Sequence, residues 1–202
     1  ASDASTDNVK TVIKEIGDTR LVLVEGKERK GVAFRQNQLL SQASSDIVVM
    51  LNADIAVVDL DYIGKLINPI LNNEADITSS ALQETKPRTF FEKTLYVSMQ
   101  AKKYAFGKFK GGNNVYTCRG PARAFRKDLY KILRFPSGIG EDAYSYLFAL
   151  SHGFSFVAVP NAQVYYSLPA SFKDHKRQSI RFIHSKSNFF SKFGEEFVRE
   201  EY

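Results

Sequence analysis

The order of predicted helices and strands in the first 85 residues most constrains what this chain can fold into. Helical spacing of apolar residues over 8–16 is followed by the strand-like run LVLVE (21–25), helical spacing over 31–43, and the strand-like run IVVML before Asn52. Alternating helices and strands are typical of α/β domains, whose ligands bind beyond the carboxyl ends of parallel strands. We therefore predict an α/β fold with a mostly parallel central sheet flanked by helices, with Asn52 and Asp54 at the ligand-binding edge.

The rest of the chain continues this pattern and contains no repeat or Ser/Pro-rich linker that would divide it. We predict a helix over 60–71, a strand over 75–85, an aromatic-rich helix over 90–104, a strand, turn and helix within 117–133, a helix over 141–150, extended segments over 154–160 and 162–167, and an amphipathic helical pattern, broken at Gly194, over 173–202. Residues 143–172 carry no Asp, Glu, Lys or Arg, but Gly153, Pro160 and Pro169 favour a buried helix and strand over a membrane span.

Basic residues are concentrated in one part of the chain. The whole sequence carries a formal charge of +6, whereas residues 86–134 hold 13 Lys and Arg against 2 acidic residues, a local balance of +11. Nucleic acid, anionic lipid, a phosphorylated small molecule and simple solvation all fit such a segment. The single cysteine, Cys118, excludes an internal disulfide and a cysteine-based zinc site.

Four short motifs combine residue types that carry chemistry, and each also has a structural interpretation. In ASDASTD, Asp3 precedes a candidate helix cap. Its carboxylate can accept hydrogen bonds from a base or ribose, and the structural alternative is that the whole motif is the start of a helix. In NAD, Asp54 follows an apolar strand. A carboxylate at this position can bind Mg²⁺ together with substrate phosphates, and the structural alternative is an ordinary turn after the strand.

The other two motifs lie in the second half of the chain. In GED, the carboxylates of Glu141 and Asp142 either stabilise a helix dipole or include a general base. In KRQSIRF, Gln178 and Arg181 share a helix face beside Phe182. Their amide and guanidinium groups can bind a diphosphate or a sugar hydroxyl, and the structural alternative is a solvated basic helix. Each motif alone admits the structural interpretation, and only their order along the chain favours a function.

Read together, these motifs resemble the family 2 glycosyltransferases, which are inverting enzymes with the GT-A fold. ASDASTD resembles the nucleotide-binding loop of that family, and KGVAFRQNQLLSQASSDIVVMLNAD resembles the following segment, which ends in a DxD motif. GPARAFRKDLY resembles the segment before the acceptor site, and GED and QSIRF resemble the catalytic ED and the QxxRW motif of polysaccharide-synthesising members. The match runs from about Asp3 to Phe182.

The resemblance implies a role for each matching residue. Asp3, Lys30 and Asn52 would bind the nucleotide, Asp54 would coordinate Mg²⁺ or Mn²⁺ at the diphosphate, and Asp142 would be the general base. The acceptor and diphosphate side would include Arg119, Gly120, Glu141, Gln178, Arg181 and Phe182. The implied domains are a GT-A catalytic domain over 1–172, with a nucleotide-binding part over 1–85 and an acceptor part over 86–172, and a helical segment over 173–202.

This sequence departs from the family pattern in three ways. Asn52 replaces the first Asp of DxD, which removes a charge beside the metal, and Phe182 replaces Trp, which removes the indole N–H. The family has a strand before Asp3, and the chain starts with alanine and no leader, so we expect either further residues before Ala1 or a compromised nucleotide pocket.

The predicted function is transfer of a sugar, with inversion, from a nucleotide-diphosphate sugar, UDP-linked by preference, to a hydroxyl of a glycan, polysaccharide or lipid-linked acceptor. The resemblance also implies a cytoplasmic enzyme in peripheral contact with the cytoplasmic face of a membrane, and no nucleic-acid partner. Asn52 and the absent strand keep a second hypothesis open, a non-catalytic domain that binds nucleotide sugars or acts as a scaffold. A basic nucleic-acid-binding module is a third hypothesis, and it leaves GED and QSIRF unexplained.

Overall fold

The computed structural model describes the backbone of the whole chain, and the side chains of all residues except 177–178 and 181–187. The strands are β1 (Ser2–Asp3), β2 (Glu25–Gly26), β3 (Ile47–Leu51), β4 (Ile55–Ala56), β5 (Ile77–Glu84), β6 (Ala122–Arg126) and β7 (Phe156–Tyr166). The helices are α1 (Val9–Ile16), α2 (Val32–Gln42), α3 (Tyr62–Leu71), α4 (Phe90–Lys108), α5 (Lys127–Ile132), α6 (Glu141–Ser151), α7 (Phe172–Phe193) and α8 (Glu195–Glu201). A 3₁₀ turn at Phe109–Gly112 follows α4.

The central sheet has five strands in the order β3-β6-β5-β7-β4, and it is mixed. Only β5 and β7 pair in parallel, whereas β6 runs antiparallel to both β3 and β5, and β4 runs antiparallel to β7. The predicted α/β class is therefore confirmed, but the prediction of a mostly parallel sheet is wrong. β6 begins beside the end of β3, since Ala122 pairs with Leu51. The chain after α4 therefore enters the sheet at the carboxyl end of β3, and β6 runs antiparallel to it.

Alternation along β6 divides the core between the two faces of the sheet. Ala122 and Ala124 face α3, and they pack in the cluster that contains Tyr62 and Leu66 of that helix. Phe125 faces the larger cluster, which includes side chains of α2, α5, α6, α7 and α8. Two helical layers thus enclose the sheet, as the period-2 pattern of a half-buried strand requires on both faces.

One long strand, β7, replaces the two extended segments predicted over 154–160 and 162–167. Its pairing with β5 shifts between Ser80, which is opposite Val159, and Ala81, which is opposite Gln163, so residues 160–162 bulge out of the ladder. Pro160 has no N–H to donate to the ladder, and a bulge accommodates it there. The uncharged segment 143–172 forms α6 and β7, as predicted.

The first strands of the chain are short. The predicted strand over 21–25 forms only at Glu25–Gly26, where it pairs in parallel with Ser2–Asp3. Val22 is 82% exposed, and none of the residues of α1 is buried. β1 offers only two residues for pairing, so the strand predicted over 21–25 is limited to Glu25–Gly26.

No described residues form a helix that is both long enough and apolar enough to cross a membrane.

Candidate active site

Three of the predicted motifs meet at the carboxyl end of β3. The backbone N–H of Asn52 donates to the carbonyl of Pro121 at 2.8 Å, which joins the NAD turn to the segment before β6. The adjacent Gly120 lies against Asp142, since a Cβ on this glycine would be 3.5 Å from Cβ and 3.7 Å from Oδ2 of that residue. The fold therefore places the NAD turn, the RGP segment (residues 119–121) and the GED segment side by side, although they are far apart in sequence.

Asp142 lies in the first turn of α6 and is half-buried. Its Oδ1 accepts a hydrogen bond from the backbone N–H of Ala143 at 2.8 Å. Its own carbonyl accepts from the hydroxyl of Ser145 at 2.8 Å. The start of α6 thus has a defined geometry, and the Asp142 carboxylate keeps acceptor capacity for another donor.

A buried arginine supports this helix start from inside the protein. Arg123 of β6 is fully buried, and its Nη1 donates to the carbonyl of Glu141 at 2.8 Å and to Oγ of Ser145 at 2.6 Å. The Nε of Arg123 has no hydrogen-bond partner among the atoms described. Arg123 therefore fixes the first turn of α6, which contains Asp142, through the Glu141 carbonyl and the Ser145 hydroxyl.

The single cysteine, Cys118, is buried near this arginine. Burial raises the pKa of the Cys118 thiol to about 12, and the positive charge of Arg123 only partly opposes that shift. A thiol that remains protonated at neutral pH is a poor nucleophile and a poor metal ligand. Cys118 is therefore a packing residue at the site.

Arg119 projects from the same loop and is half-buried. Its backbone is held by Ser79 of β5, whose Oγ accepts from the Arg119 N–H at 2.7 Å and is 3.3 Å from the Arg119 carbonyl. Burial lowers the pKa of Arg119, while the charges of Glu84 and Asp142 raise it. The side chain thus brings a cation into the field of two carboxylates.

Glu84 is a site residue that the sequence interpretation missed. It lies at the carboxyl end of β5, and its side chain is 1% exposed. Its carboxylate accepts hydrogen bonds from Lys103 Nζ at 2.5 Å, Gln100 Nε2 at 3.0 Å and Tyr166 Oη at 3.0 Å. Burial, and then the negative charge of Glu84, raise the pKa of the Tyr166 hydroxyl, which stays a hydrogen-bond donor. The only sequence signal is a single acid at the end of an uncharged strand.

Asp3, at the start of the predicted nucleotide-binding part, closes a loop with the segment before α2. Its two oxygens accept from the backbone N–H groups of Lys30 at 2.9 Å and Gly31 at 2.8 Å, and from Nε of Arg35 at 2.9 Å. The hydrogen bond from Lys30 lowers the pKa of Asp3, with further lowering by Gly31 and Arg35. Arg35 was not predicted, because its pairing with Asp3 joins residues 32 positions apart.

A shallow open depression of about 310 Å³ adjoins this loop and is lined in part by Lys30, Phe34 and Arg35. Phe34 is 41% exposed, and the Nζ of Lys30 lies 4.8 Å from the centre of its ring. The depression therefore offers an aromatic surface and positive charge beside the backbone turn that contains Asp3. That combination suits a planar base joined to phosphates.

Asp54 is exposed in the turn between β3 and β4, next to the exposed Asn52. In the described part of the chain, no group of three or more His, Cys, Asp and Glu side chains could hold a metal ion. Mg²⁺ typically takes one or two carboxylates and completes its shell with water and substrate phosphates. The accessible oxygens of Asp54 fit that mode of binding.

Three predicted acceptor-side residues, Gln178, Arg181 and Phe182, fall within α7, but their side chains lie outside the described residues. Their roles stay predictions. Arg119, Gly120 and Glu141 lie near Asp142 in the structure, and their roles also stay predictions. Asp3 and Lys30 form a separate group around Gly31.

The sequence model described as Glycosyl transferase family 2 matches residues 1–133 of this chain, about two thirds of its length. A curated relative, an N-acetylglucosaminyltransferase of Rhizobium meliloti (strain 1021), is 25% identical over an alignment 183 residues long, and the match covers 83% of this chain and 42% of the relative.

Solved structures of low sequence identity share the fold. A mannosyltransferase from Pyrobaculum calidifontis, in complex with GDP-Man and Mn²⁺, superposes with a TM-score of 0.61 at 22% identity, over 89% of this chain and 49% of that one. Glucosyl-3-phosphoglycerate synthase from Mycobacterium tuberculosis, in complex with Mg²⁺ and UDP, gives a TM-score of 0.61 at 15% identity, over 94% and 66%. The chain spans about half the length of the first of these and less than half of the curated relative.

Proposed function

Because the chain belongs to glycosyl transferase family 2, we propose that it forms the catalytic domain of an inverting glycosyltransferase. Its donor is a nucleotide-diphosphate sugar, UDP-linked by preference, and its acceptor is a hydroxyl of a glycan, a polysaccharide or a lipid-linked sugar. The observation that carries the proposal is the contact of the NAD, RGP and GED segments at one end of the sheet. A half-buried carboxylate, a nearby guanidinium and an exposed carboxylate there provide the groups that sugar transfer needs.

Asp142 acts as the general base in this proposal. Its carboxylate takes the proton of the acceptor hydroxyl while that oxygen forms a bond to the anomeric carbon on the face opposite the nucleotide. The bond from the anomeric carbon to the diphosphate oxygen breaks at the same time, so the configuration inverts and the electron pair leaves with the diphosphate. Arg123 keeps the start of α6, and with it Asp142, in place through the Glu141 carbonyl and Ser145.

The negative charge that develops on the leaving diphosphate requires stabilisation. Asp54 would hold Mg²⁺ or Mn²⁺, which when bound neutralises part of this charge. Arg119 adds a cation on the acceptor and diphosphate side, together with Gly120 and Glu141 beside the base, and Gln178, Arg181 and Phe182 complete that side. Asp3, Lys30 and Asn52 bind the nucleotide, and the loop closed by Asp3 shapes the base pocket.

The proposed organisation follows from these roles. Residues 1–85 bind the nucleotide, residues 86–172 bind the acceptor, and the segment 173–202 contributes the QSIRF motif. We further propose a role in polysaccharide biosynthesis at the cytoplasmic face of a membrane, with peripheral membrane contact. The complexes of the structural neighbours with GDP-Man and Mn²⁺, and with UDP and Mg²⁺, support a metal-assisted nucleotide-sugar donor.

The test is release of nucleoside diphosphate from nucleotide sugars by the purified protein in the presence of Mn²⁺. We expect Asp142→Asn to reduce turnover by at least about a hundredfold, as typical for loss of a general base, with nearly unchanged nucleotide binding. Asp128→Asn is the matched control, because Asp128 also lies in the first turn of a helix but is exposed and away from the site. Unchanged turnover in Asp142→Asn would exclude this residue as the base.

A second function is favoured by one observation, the neutral Asn52 in place of a carboxylate beside Asp54. A non-catalytic domain of the same fold would bind nucleotide sugars without turning them over. In that case the wild-type protein shows a Mn²⁺-dependent rise in melting temperature with the donor but no diphosphate release. Asp54→Ala would remove the metal dependence of that rise in either case.

A further inference from the structure

We propose that the solvent face of α4 docks on an anionic lipid surface, with its apolar side chains in the interface and its lysines on the headgroups. This inference deepens the membrane contact included in the proposed function. The docking surface is argued from the side chains of α4, and only its role in sugar transfer rests on the proposed function. The docking face consists of Phe90, Val97, Ala101, Tyr104 and Ala105, together with Lys93 and Lys108, and we call it the α4 face.

The first observation is the position of these residues on the helix. Phe90, Val97 and Tyr104 are spaced seven apart along a helix of 19 residues, so they form one stripe, and they are 87%, 69% and 68% exposed. The opposite side of α4 holds Leu95, which is buried, and Phe106, which is half-buried and stacks on Tyr116. The helix is therefore anchored on one side and presents large apolar side chains to solvent on the other.

The second observation is the charge around the stripe. Lys93, Lys102 and Lys108 are exposed on α4, and Lys108 lies over the ring of Tyr104 at 4.2 Å. The only acid within α4, Glu92, faces its own helix start, where it accepts hydrogen bonds from the backbone N–H groups of Arg88 and Thr89. The α4 face consequently combines apolar and aromatic side chains with positive charge, which is the composition of helices that lie in a membrane interface.

A third observation extends the surface beyond α4. Phe172, at the start of α7, is 68% exposed and makes an edge contact with Phe91 at 6.4 Å between ring centres. The exposed Lys173 follows it. Two adjacent helix starts thus present exposed aromatic rings, Phe90 and Phe172, and a lysine at the same corner of the molecule.

The charges favour a lipid surface over a second copy of the chain. Helices that pair through an apolar stripe are stabilised when acids of one partner meet bases of the other. Two α4 faces in contact would bring Lys93 and Lys108 against lysines, with no acid on the face to compensate. Anionic headgroups supply the opposite charge, at about 1 kcal/mol per lysine near the surface.

The position of α4 connects docking to the proposed chemistry. Its inner side reaches the acceptor-side cluster, because Lys103 and Gln100 hydrogen-bond to Glu84, whose charge acts on Arg119. A domain docked through the α4 face therefore holds this cluster about one helix diameter, roughly 10–12 Å, from the lipid headgroups. This position suits an acceptor that is attached to lipid.

The experiment is sedimentation of the protein with vesicles made of equal parts phosphatidylglycerol and phosphatidylcholine, compared with vesicles of phosphatidylcholine alone. We expect binding to the anionic vesicles, and weaker binding as salt is added. Lys93→Glu with Lys108→Glu should weaken binding by roughly 30-fold or more, since loss of each lysine is about a fivefold effect. Phe90→Ser with Val97→Ser and Tyr104→Ser should also abolish most of the binding.

Matched controls use exposed residues elsewhere. Lys14→Glu with Lys192→Glu makes the same change in net charge, and Val12→Ser with Ile16→Ser and Val22→Ser removes exposed apolar side chains near α1. Both controls should bind the anionic vesicles like wild type. Wild-type-like binding by the α4 variants, or equal loss in the controls, would overturn the proposal.

Two further measurements separate the remaining outcomes. Analytical ultracentrifugation that shows a dimer dissociated by the apolar α4 substitutions would overturn the proposal in favour of a second copy. Diphosphate release from the donor in solution should be unchanged in the α4 variants, because their substitutions lie outside the proposed site. Absence of that activity in wild type would count against the proposed function, while the vesicle result would still decide the docking surface.

Discussion

The ion pair between Glu84 and Lys103 should show an asymmetric response to substitution. The Glu84 side chain is 1% exposed and that of Lys103 is 22% exposed. Lys103→Met leaves an enclosed carboxylate that keeps the neutral donors of Gln100 and Tyr166 and the nearby charge of Arg119, whereas Glu84→Gln leaves a lysine that can turn toward water. A buried charge that loses its ion-pair partner costs about 3–5 kcal/mol, and we take about 3 kcal/mol for Lys103→Met because the pair is not fully enclosed and Arg119 is nearby.

For Glu84→Gln we expect a smaller loss of unfolding free energy, about 1–2 kcal/mol, since the amide keeps the shape and some hydrogen bonds. The double variant should lose less than the sum of the single variants, by about 1–3 kcal/mol, because removing both charges removes the unpaired one. The assay is equilibrium unfolding in urea, with the free energy of unfolding extrapolated to water for all four proteins.

The pair of Lys65 and Asp59 is the internal control, because its side chains are 34% and 31% exposed. Lys65→Met should cost less than about 1 kcal/mol, as expected for a surface ion pair. Equal costs for Lys103→Met and Glu84→Gln, or strict additivity in the double variant, would refute the assignment of Glu84 as an enclosed carboxylate whose charge depends on α4.

Two further predictions concern the turn at the start of the chain. Ala4 has a φ of 55°, in the left-handed region that favours glycine, so Ala4→Gly should raise the free energy of unfolding by roughly 0.5–1 kcal/mol, and a lower melting temperature would contradict this. The lowered pKa of Asp3 means that its contribution to stability is present above the ordinary value of 3.8 and is lost as pH falls through the lower, folded-state pKa. Urea unfolding at several pH values should therefore show a stability advantage over Asp3→Asn that shrinks below about pH 3.8, and an advantage independent of pH would contradict the role of the carboxylate.

Local pattern predicted most of the longer elements and their order, but not the short strands β1 and β4. The apolar spacing over 31–43 predicted α2, which forms at Val32–Gln42, and the apolar run before Asn52 predicted β3. The α/β class followed from the order of these elements and the family from the resemblance of the ordered motifs, and both are confirmed. The direction of β6 could not be predicted, because helical and strand periods do not specify on which side of a sheet a connection returns.

The supporting residues of the site also escaped prediction, for a common physical reason. Glu84, Arg123 and Arg35 act through partners that are distant in sequence, such as Lys103 on α4, Ser145 on α6 and Asp3 on β1. A motif shows which residues have reactive groups, but the burial and the pairing that position those groups arise only from the fold. The predicted roles of the site residues and the predicted domain boundaries stay predictions.

The bulge in β7 has a consequence for how the length of this chain can vary. The first half of β7 pairs with β5 up to Val159, and the second half resumes at Gln163, so each half has its own register. Pro160 and Asn161 are exposed between them. A one-residue insertion or deletion at 160–161 would therefore change the size of the bulge, while the register that pairs Tyr166 with Glu84 could stay as it is.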